Sequence, residues 1–237
     1  MNSKIKLINT ICLSGGGIRA FSFIGVLDNL IKNGFISLKK IKNFYGSSSG
    51  AIIALLLNLN YSTDEIIKFI LKFDFSKISP QINTEELLIN YGIDNGDKII
   101  FILKKFIKLK LNMDNITFKQ LFEKTKKNLT IIATNLSQKK EEHFNHINTP
   151  NVDILLAIRM SFSIPLVFTP VNYKDNYYVD GSVLNDFPID LCDNDNFIGL
   201  VLSPNQYDIK KNIFNYLFSL ISSSLSNVTK TKLKCID

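Results

Sequence analysis

Short apolar runs alternate along this chain with stretches of helical periodicity. The apolar runs predict strands at residues 5–13, 41–45, 128–136 and 196–204, and a strand or hairpin arm from residue 176. Between most of them, apolar residues recur at the three- and four-residue spacing of an α-helix. Strands that alternate with helices predict an α/β protein, with a mostly parallel central sheet in a three-layer α/β/α arrangement.

Several of the helical stretches have clear limits. A helix is predicted for residues 18–34, where Gly34 follows the last periodic residue and caps it. Residues 51–60 are apolar on nearly all sides, which is typical of a buried helix. A third helix over residues 152–162 ends before Pro165, and residues 139–147 are predicted to form the turn and return arm of a hairpin.

The middle segment, residues 63–129, is predicted to be mostly helical and charged. One apolar face within it lies largely opposite four lysines, and consists of Ile99, Ile102, Leu103, Phe106 and Ile107. We expect this face to pack on the core and the lysines to face solvent. The alternative is a helix that lies in a membrane interface, for which the same pattern is typical.

The chain has the size and composition of one folded domain. It has 237 residues, of which 46% are hydrophobic and six are proline, so it can bury a sizeable core. The sequence contains no linker, internal repeat or low-complexity tract. We therefore predict a single domain over residues 1–237, with a core at residues 8–205 and a C-terminal helix at residues 211–228.

The formal net charge of +7 favours an anionic partner, either nucleic acid or a lipid surface. Of the 28 basic residues only Arg19 and Arg159 are arginine, in a chain rich in Ile and Asn, as an AT-rich genome encodes. Nucleic-acid-binding proteins use arginine for bidentate recognition, and neither a zinc-finger spacing nor an RNA-binding signature is present. We therefore expect no nucleic acid partner, and peripheral contact with an anionic membrane surface is the remaining reading.

The three cysteines, Cys12, Cys192 and Cys235, share no metal-ligand spacing, and their odd number disfavours a disulfide framework. This usage is typical of a reducing, cytoplasmic or otherwise intracellular compartment. Asn9 and Thr10 interrupt the first apolar run, which predicts a strand rather than a signal peptide. No apolar run approaches the roughly 20 residues that cross a bilayer, so we expect a soluble or peripheral protein.

The sequence GSSSG at residues 46–50 lies between the second predicted strand and the buried helix. G-x-S-x-G in this context is typical of a nucleophile elbow, a sharp turn that exposes its central serine. Ser48 is then the nucleophile, with Ser47 and Ser49 as small neighbours and helix N–H dipoles nearby. The alternative is a solvated serine-rich loop, since short motifs also occur by chance.

A second glycine turn, Gly15 to Gly17, follows the first predicted strand. It matches G-x-G-x-x-A, the dinucleotide-binding pattern, but the acidic residue required roughly 20 positions later is missing. The other use is an oxyanion hole, formed by the N–H groups of Gly16 and Gly17 and facing Ser48. This second use requires no further residue and accounts for both glycine turns.

A serine nucleophile needs a base, which is usually a histidine oriented by a carboxylate. The two histidines, His143 and His146, both precede the best acidic candidate, Asp180, whereas an α/β-hydrolase triad runs serine, acid, histidine. Both also lie in a polar stretch, where a solvated hairpin is the simpler interpretation. The sequence therefore does not favour a Ser/His/Asp triad.

The segments SGGGIRA, GSSSG and VDGSV together resemble the patatin-like phospholipase family over residues 8–205. That family combines a glycine-rich oxyanion motif carrying a basic residue with G-x-S-x-G and a late Asp-Gly motif, and it uses a Ser/Asp dyad without histidine. Two further segments, AIRMSFSIPLVFTPV and VDGSVLNDFPID, resemble its small-residue segment and the residues after its Asp motif. The resemblance implies a patatin-like α/β fold.

The resemblance implies that Ser48 is the nucleophile, Asp180 its base, Gly16 and Gly17 the oxyanion donors, and Arg19 a partner for a lipid phosphate. It implies no cofactor and no metal, and a phospholipid or related acyl lipid as substrate. The remaining motif positions that it assigns are Gly15, Gly46, Gly50 and Gly181.

This sequence departs from the family pattern at Ser14, Ala20 and Ser182, where the family more often has Asp, Gly, and Gly or Ala. None of the three is a reacting group. The expected activity is therefore acyl-ester hydrolysis. The alternatives are a general soluble carboxylesterase and a non-catalytic lipid-binding protein that retains the fold.

Overall fold

The structure, a computed structural model, describes residues 8–78, 84–192 and 196–203, and also 208, 210–211, 213, 215–217, 219–220 and 222–223. The strands are β1 (Thr10–Leu13), β2 (Asn43–Ser47), β3 (Gly92–Asp94), β4 (Asn128–Asn135), β5 (Lys140–Phe144), β6 (Leu166–Phe168), β7 (Val171–Tyr173), β8 (Asn176–Asp180) and β9 (Phe197–Leu200). The α-helices are α1 (Ser22–Lys32), α2 (Ser49–Asn58), α3 (Thr63–Lys72), α4 (Thr84–Asn90), α5 (Asp97–Leu111), α6 (Phe118–Thr125) and α7 (Ile154–Ser161). Short 3-10 helices cover Gly17–Phe21, Phe75–Ile78, Gly181–Val183 and Ile189–Leu191.

Four parallel strands form the centre of the main sheet, in the order β4-β2-β1-β9. Three further strands are added by antiparallel pairing: β5 and β8 pair with opposite edges of β4, and β7 pairs with β8. Helices α2, α6 and α7 pack on these strands. The predicted α/β class, with a mostly parallel central sheet and helices around it, is confirmed.

Both faces of the central strands are covered by apolar side chains. On β1, Ile11 and Leu13 belong to the main core, whereas Cys12 packs on the opposite face with Phe187 and Ile189. Successive side chains of a strand point to opposite faces, so a strand that is buried on both sides is a continuous apolar run. This is why the central strands show little alternation in the sequence.

The helix predicted for residues 18–34 begins as a 3-10 turn and becomes α-helical in α1. Gly34 ends it as predicted, with a φ of +75°. The N–H groups of Gly34 and Phe35 donate to carbonyl groups of the last turn in the Schellman arrangement. The glycine supplies the left-handed conformation that this cap requires.

The middle segment contains helices α3 to α6, as predicted, and one strand that was not predicted. This strand, β3, pairs in parallel with β6 to form a separate two-stranded sheet. Each has three residues, too few for an alternating pattern to be visible in the sequence. On α5, Leu103 and Ile107 are buried, which favours the core-packed interpretation for these two residues. Contact of this helix with a membrane interface stays a prediction.

The predicted hairpin is present as the β4–β5 pair, and α7 ends before Pro165. Residues 5–7 of the first predicted strand and Cys235 lie outside the described residues. Of the predicted C-terminal helix, the residues described between 213 and 223 are helical, and the others lie outside the described residues.

Arg159 on α7 connects three parts of the chain. Its Nε donates to the carbonyl oxygen of Asn95 at 2.6 Å, and its Nη2 donates to the carbonyl oxygen of Thr169 at 2.7 Å. Its Nη1 donates to Ser163 Oγ, and its guanidinium lies 5.3 Å from the ring centre of Phe162. Burial lowers the pKa of Arg159 to about 10, and the group remains charged. A buried guanidinium therefore holds the carboxyl ends of both β3 and β6 to α7.

Arg159→Met is expected to lower the free energy of unfolding by about 2–4 kcal/mol, because it leaves buried carbonyl groups without a donor. Urea denaturation followed by circular dichroism measures this. Lys119→Met, at an exposed position on α6, is the control and should change stability by less than about 0.5 kcal/mol. Equal denaturation midpoints for Arg159→Met and the wild type would contradict this role.

Candidate active site

Ser48 lies at a sharp turn between β2 and α2. Its φ of 53° and ψ of −126° are unusual for a residue with a side chain, and such a conformation costs on the order of 1–3 kcal/mol. A Cβ atom on Gly46 would lie 2.6 Å from backbone atoms of α2, and one on Gly50 would collide with the carbonyl oxygens of Leu13 and Ser14. The two glycines are therefore required by close packing, as expected for a nucleophile elbow.

A serine on α7 stabilises this turn. The backbone N–H of Ser48 donates to Ser161 Oγ at 2.9 Å, and Ser161 is fully buried. Sequence analysis did not assign a role to Ser161. The only signal was its place in the small-residue segment, which shows that small side chains are needed there but not which one bonds the elbow.

The edge of β4 brings Ser48 and Asp180 together. Ile132 pairs with Ser47 of β2, and the next residue, Ala133, pairs with Asp180 of β8. Both β4 residues pair with β5 on their other side, so β2 and β8 occupy the same edge. The end of β2 therefore meets the end of β8.

The two side chains form a hydrogen bond inside the protein. Ser48 Oγ donates to Asp180 Oδ2 at 2.6 Å, and the N–H of Ser182 donates to Asp180 Oδ1 at 2.8 Å. Ser48 is 4% exposed and Asp180 is 3% exposed. Gly181 is also buried, and a Cβ atom there would lie 2.6 Å from Ser47 Oγ, so this motif position also requires glycine.

The environment of Asp180 makes it a much stronger base than an exposed carboxylate. Burial raises its pKa from 3.8 to about 7, against the lowering effect of the bonds from Ser48 and Ser182, and the charge of Asp186 raises it further. A carboxylate with a pKa close to neutrality can accept a proton from a serine hydroxyl that acts as a nucleophile.

The glycine turn lies directly beside the nucleophile. A Cβ atom on Gly15 would lie 3.2 Å from Ser48 Cβ. In the described part of the chain, the N–H groups of Gly16 and Gly17 have no hydrogen-bond acceptor. Gly17 has a φ of 57° and lines the same cavity as Ser48. Their use as oxyanion donors to a ligand at Ser48 stays a prediction.

Ser48 opens into an apolar cavity of about 380 Å³. Within the described residues, Ser48 and Ser49 are the only polar side chains that line it. The apolar face of α5 contributes Ile99, Leu103 and Phe106, so this face lines the cavity. Peripheral contact of the protein with an anionic membrane surface stays a prediction. Seven phenylalanines line the cavity: Phe21, Phe69, Phe73, Phe75, Phe106, Phe162 and Phe168.

Comparison of the sequence with known families gives one match that covers most of the chain. The sequence model of the patatin-like phospholipase family matches residues 11–193. The chain belongs to this family. The matched region contains the glycine turn, the elbow and the Asp-Gly motif.

Viral proteins are among the patatin-like relatives. The chain is 37% identical over 194 residues to a probable lipid hydrolase of Invertebrate iridescent virus 6, over 80% of this chain and 64% of that protein. It is 34% identical over 190 residues to an uncharacterized protein of Acanthamoeba polyphaga mimivirus, over 79% of this chain and 62% of that protein. The chain thus spans less than two thirds of the length of these relatives.

Solved structures show the same fold at low sequence identity. VipD from Legionella pneumophila superposes with a TM-score of 0.68 and 18% identity, over 86% of this chain and 52% of that one. The type III effector protein ExoU superposes with a TM-score of 0.51 and 16% identity, over 97% of this chain and 53% of that one. Both are larger proteins, and the likeness concerns the fold.

In this patatin-like chain, Arg19 has a partner within the protein. It is exposed, and its Nη2 donates to the carbonyl oxygen of Ser203 at 2.7 Å. This bond joins the 3-10 turn after the glycines to the chain that follows β9. Its expected contact with a lipid phosphate stays a prediction.

The two histidines have other surroundings. His143 lies on β5, where its Nε2 is 2.9 Å from Glu141 Oε1. His146 stacks on Phe122 with ring centres 4.0 Å apart, and burial lowers its pKa. Neither bonds to Ser48 or Asp180 in the structure. His143 lies on the return strand of the predicted hairpin, whereas His146 follows that strand and is partly buried rather than solvated.

The described residues contain no group of three or more His, Cys, Asp or Glu side chains that could hold a metal ion. Among the helices described, none is both long and apolar enough to cross a bilayer.

The raised pKa of Asp180 predicts that this site destabilises the fold at alkaline pH. The carboxyl of Asp180 ionises above pH 3.8 in the unfolded chain but stays protonated up to about pH 7 in the folded protein. The stability that the protonated form contributes is therefore fully present below pH 3.8 and is lost as the pH rises to about 7. Asp180→Asn, which removes the buried charge, is expected to raise the free energy of unfolding at pH 8 by roughly 1 kcal/mol or more.

Urea denaturation at pH 5 and pH 8 measures this effect. Asp114→Asn, at an exposed carboxylate, is the matched control and should change stability by less than about 0.5 kcal/mol at both pH values. If Asp180→Asn were less stable than the wild type at pH 8, the buried charge of Asp180 would not destabilise the fold.

Proposed function

We propose that this chain is a lipid acyl hydrolase that cleaves carboxylic-ester bonds of phospholipids or related acyl lipids. The observation that carries the proposal is the 2.6 Å hydrogen bond from Ser48 Oγ to Asp180 Oδ2 at the wall of an apolar cavity. Membership of the patatin-like phospholipase family and the likeness to a probable lipid hydrolase support the same reaction class.

The reaction begins with proton transfer from Ser48 Oγ to Asp180. The Ser48 oxygen attacks the ester carbonyl, and the N–H groups of Gly16 and Gly17 stabilise the oxyanion. The protonated Asp180 then donates its proton to the leaving alcohol. Water, deprotonated by Asp180, hydrolyses the acyl-enzyme and regenerates Ser48. This mechanism requires no histidine.

The cavity supports an acyl chain as the group bound next to Ser48. Ser48, Ser49, Ile52 and Leu56 line it along one side of α2. Leu56 follows Ser48 by eight positions, which corresponds to a rise of about 12 Å along the helix. The volume of about 380 Å³ lies within the range of small-molecule sites. A linear apolar group that starts at the nucleophile fits this shape.

Ser48→Ala is expected to abolish turnover of acyl esters and labelling by a serine-reactive fluorophosphonate, whereas Ser47→Ala keeps both. The reason is that the elbow directs only the central hydroxyl to Asp180. Measurements on a short soluble ester and on phospholipid vesicles also distinguish a lipid hydrolase from a general carboxylesterase. If Ser47 carried the label, or if the wild type turned over no ester, the proposal would fail.

The length of the cavity predicts a dependence on the length of the acyl chain. Leu56→Trp fills the end far from Ser48, so turnover of long-chain esters should fall about tenfold relative to short-chain esters. Leu56→Ala is the paired variant and should not reduce the long-chain to short-chain ratio. Rates on p-nitrophenyl esters of increasing length give this ratio. An unchanged ratio in Leu56→Trp would place the acyl chain elsewhere.

A further inference from the structure

A second carboxyl group, Asp186, lies beside the glycine turn and has no part in the mechanism above. A Cβ atom on Gly15 would lie 2.6 Å from Asp186 Oδ1 on one side and 3.2 Å from Ser48 Cβ on another. The N–H of Gly15 also donates to the carbonyl oxygen of Asp186 at 3.2 Å. Asp186 and Ser48 therefore contact the same glycine, immediately before the two oxyanion donors.

Ser182 connects Asp186 with Asp180. A Cβ atom on Gly15 would collide with Ser182 Oγ as well, so this hydroxyl lies next to Asp186. The backbone N–H of Ser182 donates to Asp180 Oδ1 at 2.8 Å. The Ser182 hydroxyl lowers the pKa of both Asp180 and Asp186. A polar path thus runs from Asp186 through Ser182 to Asp180 and Ser48.

The charge on Asp186 acts on Asp180. Burial raises the pKa of Asp186 itself, and its negative charge raises the pKa of Asp180. The other charged side chains on α7 and β5 interact elsewhere: Arg159 with Asn95, Ser163 and Thr169; Glu142 with Lys140, Asn135 and Tyr178; and His143 with Glu141.

We propose that Asp186 is a positioning residue, which fixes the glycine turn against Ser48 and acts on the base through Ser182. This inference rests on the proposed function, because it assigns Asp186 to the acyl-transfer site. Asp186 does not touch the reacting atoms. It sets the place of the oxyanion donors and the pH at which Asp180 becomes a free base.

The test is the rate at which a fluorophosphonate labels Ser48 between pH 5 and pH 9. In the wild type this rate should rise with pH around 7, as Asp180 loses its proton. Asp186→Asn removes the neighbouring charge, so the rise should move to lower pH by about half a unit, and the plateau should fall by about two- to threefold because the base is weaker. A purely structural role would lower the rate without moving the rise.

Two further variants make the result decisive. Ser182→Ala removes the hydroxyl that lowers the pKa of Asp180, so it should move the rise to higher pH, and it decides the question if Asp186→Asn does not fold. Asp190→Asn, four residues away and exposed, is the control and should leave the profile unchanged. A labelled wild type whose profile matches that of folded Asp186→Asn overturns this inference alone. A wild type that is not labelled at all overturns the proposed function.

Discussion

The edge of β4 is the constraint on which the site depends. Two strands of opposite direction share this edge, and successive β4 residues pair with Ser47 of β2 and with Asp180 of β8. A shift of one residue in either pairing would turn the side chains of β2 or β8 to the other face of the sheet. The two registers along β4 therefore place Ser48 next to Asp180.

This arrangement brings together two features that lower the stability of the fold. Ser48 has a strained backbone conformation, and Asp180 is a carboxyl group removed from water. The hydrogen bond that the Ser48 N–H donates to Ser161 Oγ, and the bonds that Ser48 and Ser182 donate to Asp180, offset part of this cost. The remainder raises the pKa of Asp180, which is the property that general-base catalysis requires. Stability and the proposed activity thus make opposite demands on Asp180.

The sequence was sufficient to predict the features that have a local signal. Three consecutive glycines, G-x-S-x-G and an Asp-Gly turn each mark a short backbone segment, and adjacent parallel strands bring their carboxyl ends to one edge. The Ser48–Asp180 pair that the resemblance implied is a direct contact in the structure.

The supporting contacts could not be predicted in the same way. Ser161 bonds a residue 113 positions away, and Arg159 bonds one 64 positions away, so neither has a pattern in the neighbouring sequence. The strands β3 and β6 are too short to alternate, and they form only because their partners are brought together by the tertiary fold. The 3-10 turn before α1 was missed because its apolar spacing resembles that of an α-helix.

The structure separates the chemistry of the site from the shape of its cavity. Ser48 and Asp180 lie at strand ends of the main sheet, where the pairing register fixes them. The outer wall of the cavity comes from α3, α5 and the 3-10 helix between Phe75 and Ile78, which are held to the core by apolar packing and, near α5, by Arg159. A substitution in this wall changes the space available to a ligand without changing the pairing along β4. Differences in acyl-chain preference among proteins with this fold can therefore arise in the wall while the Ser48–Asp180 geometry stays the same.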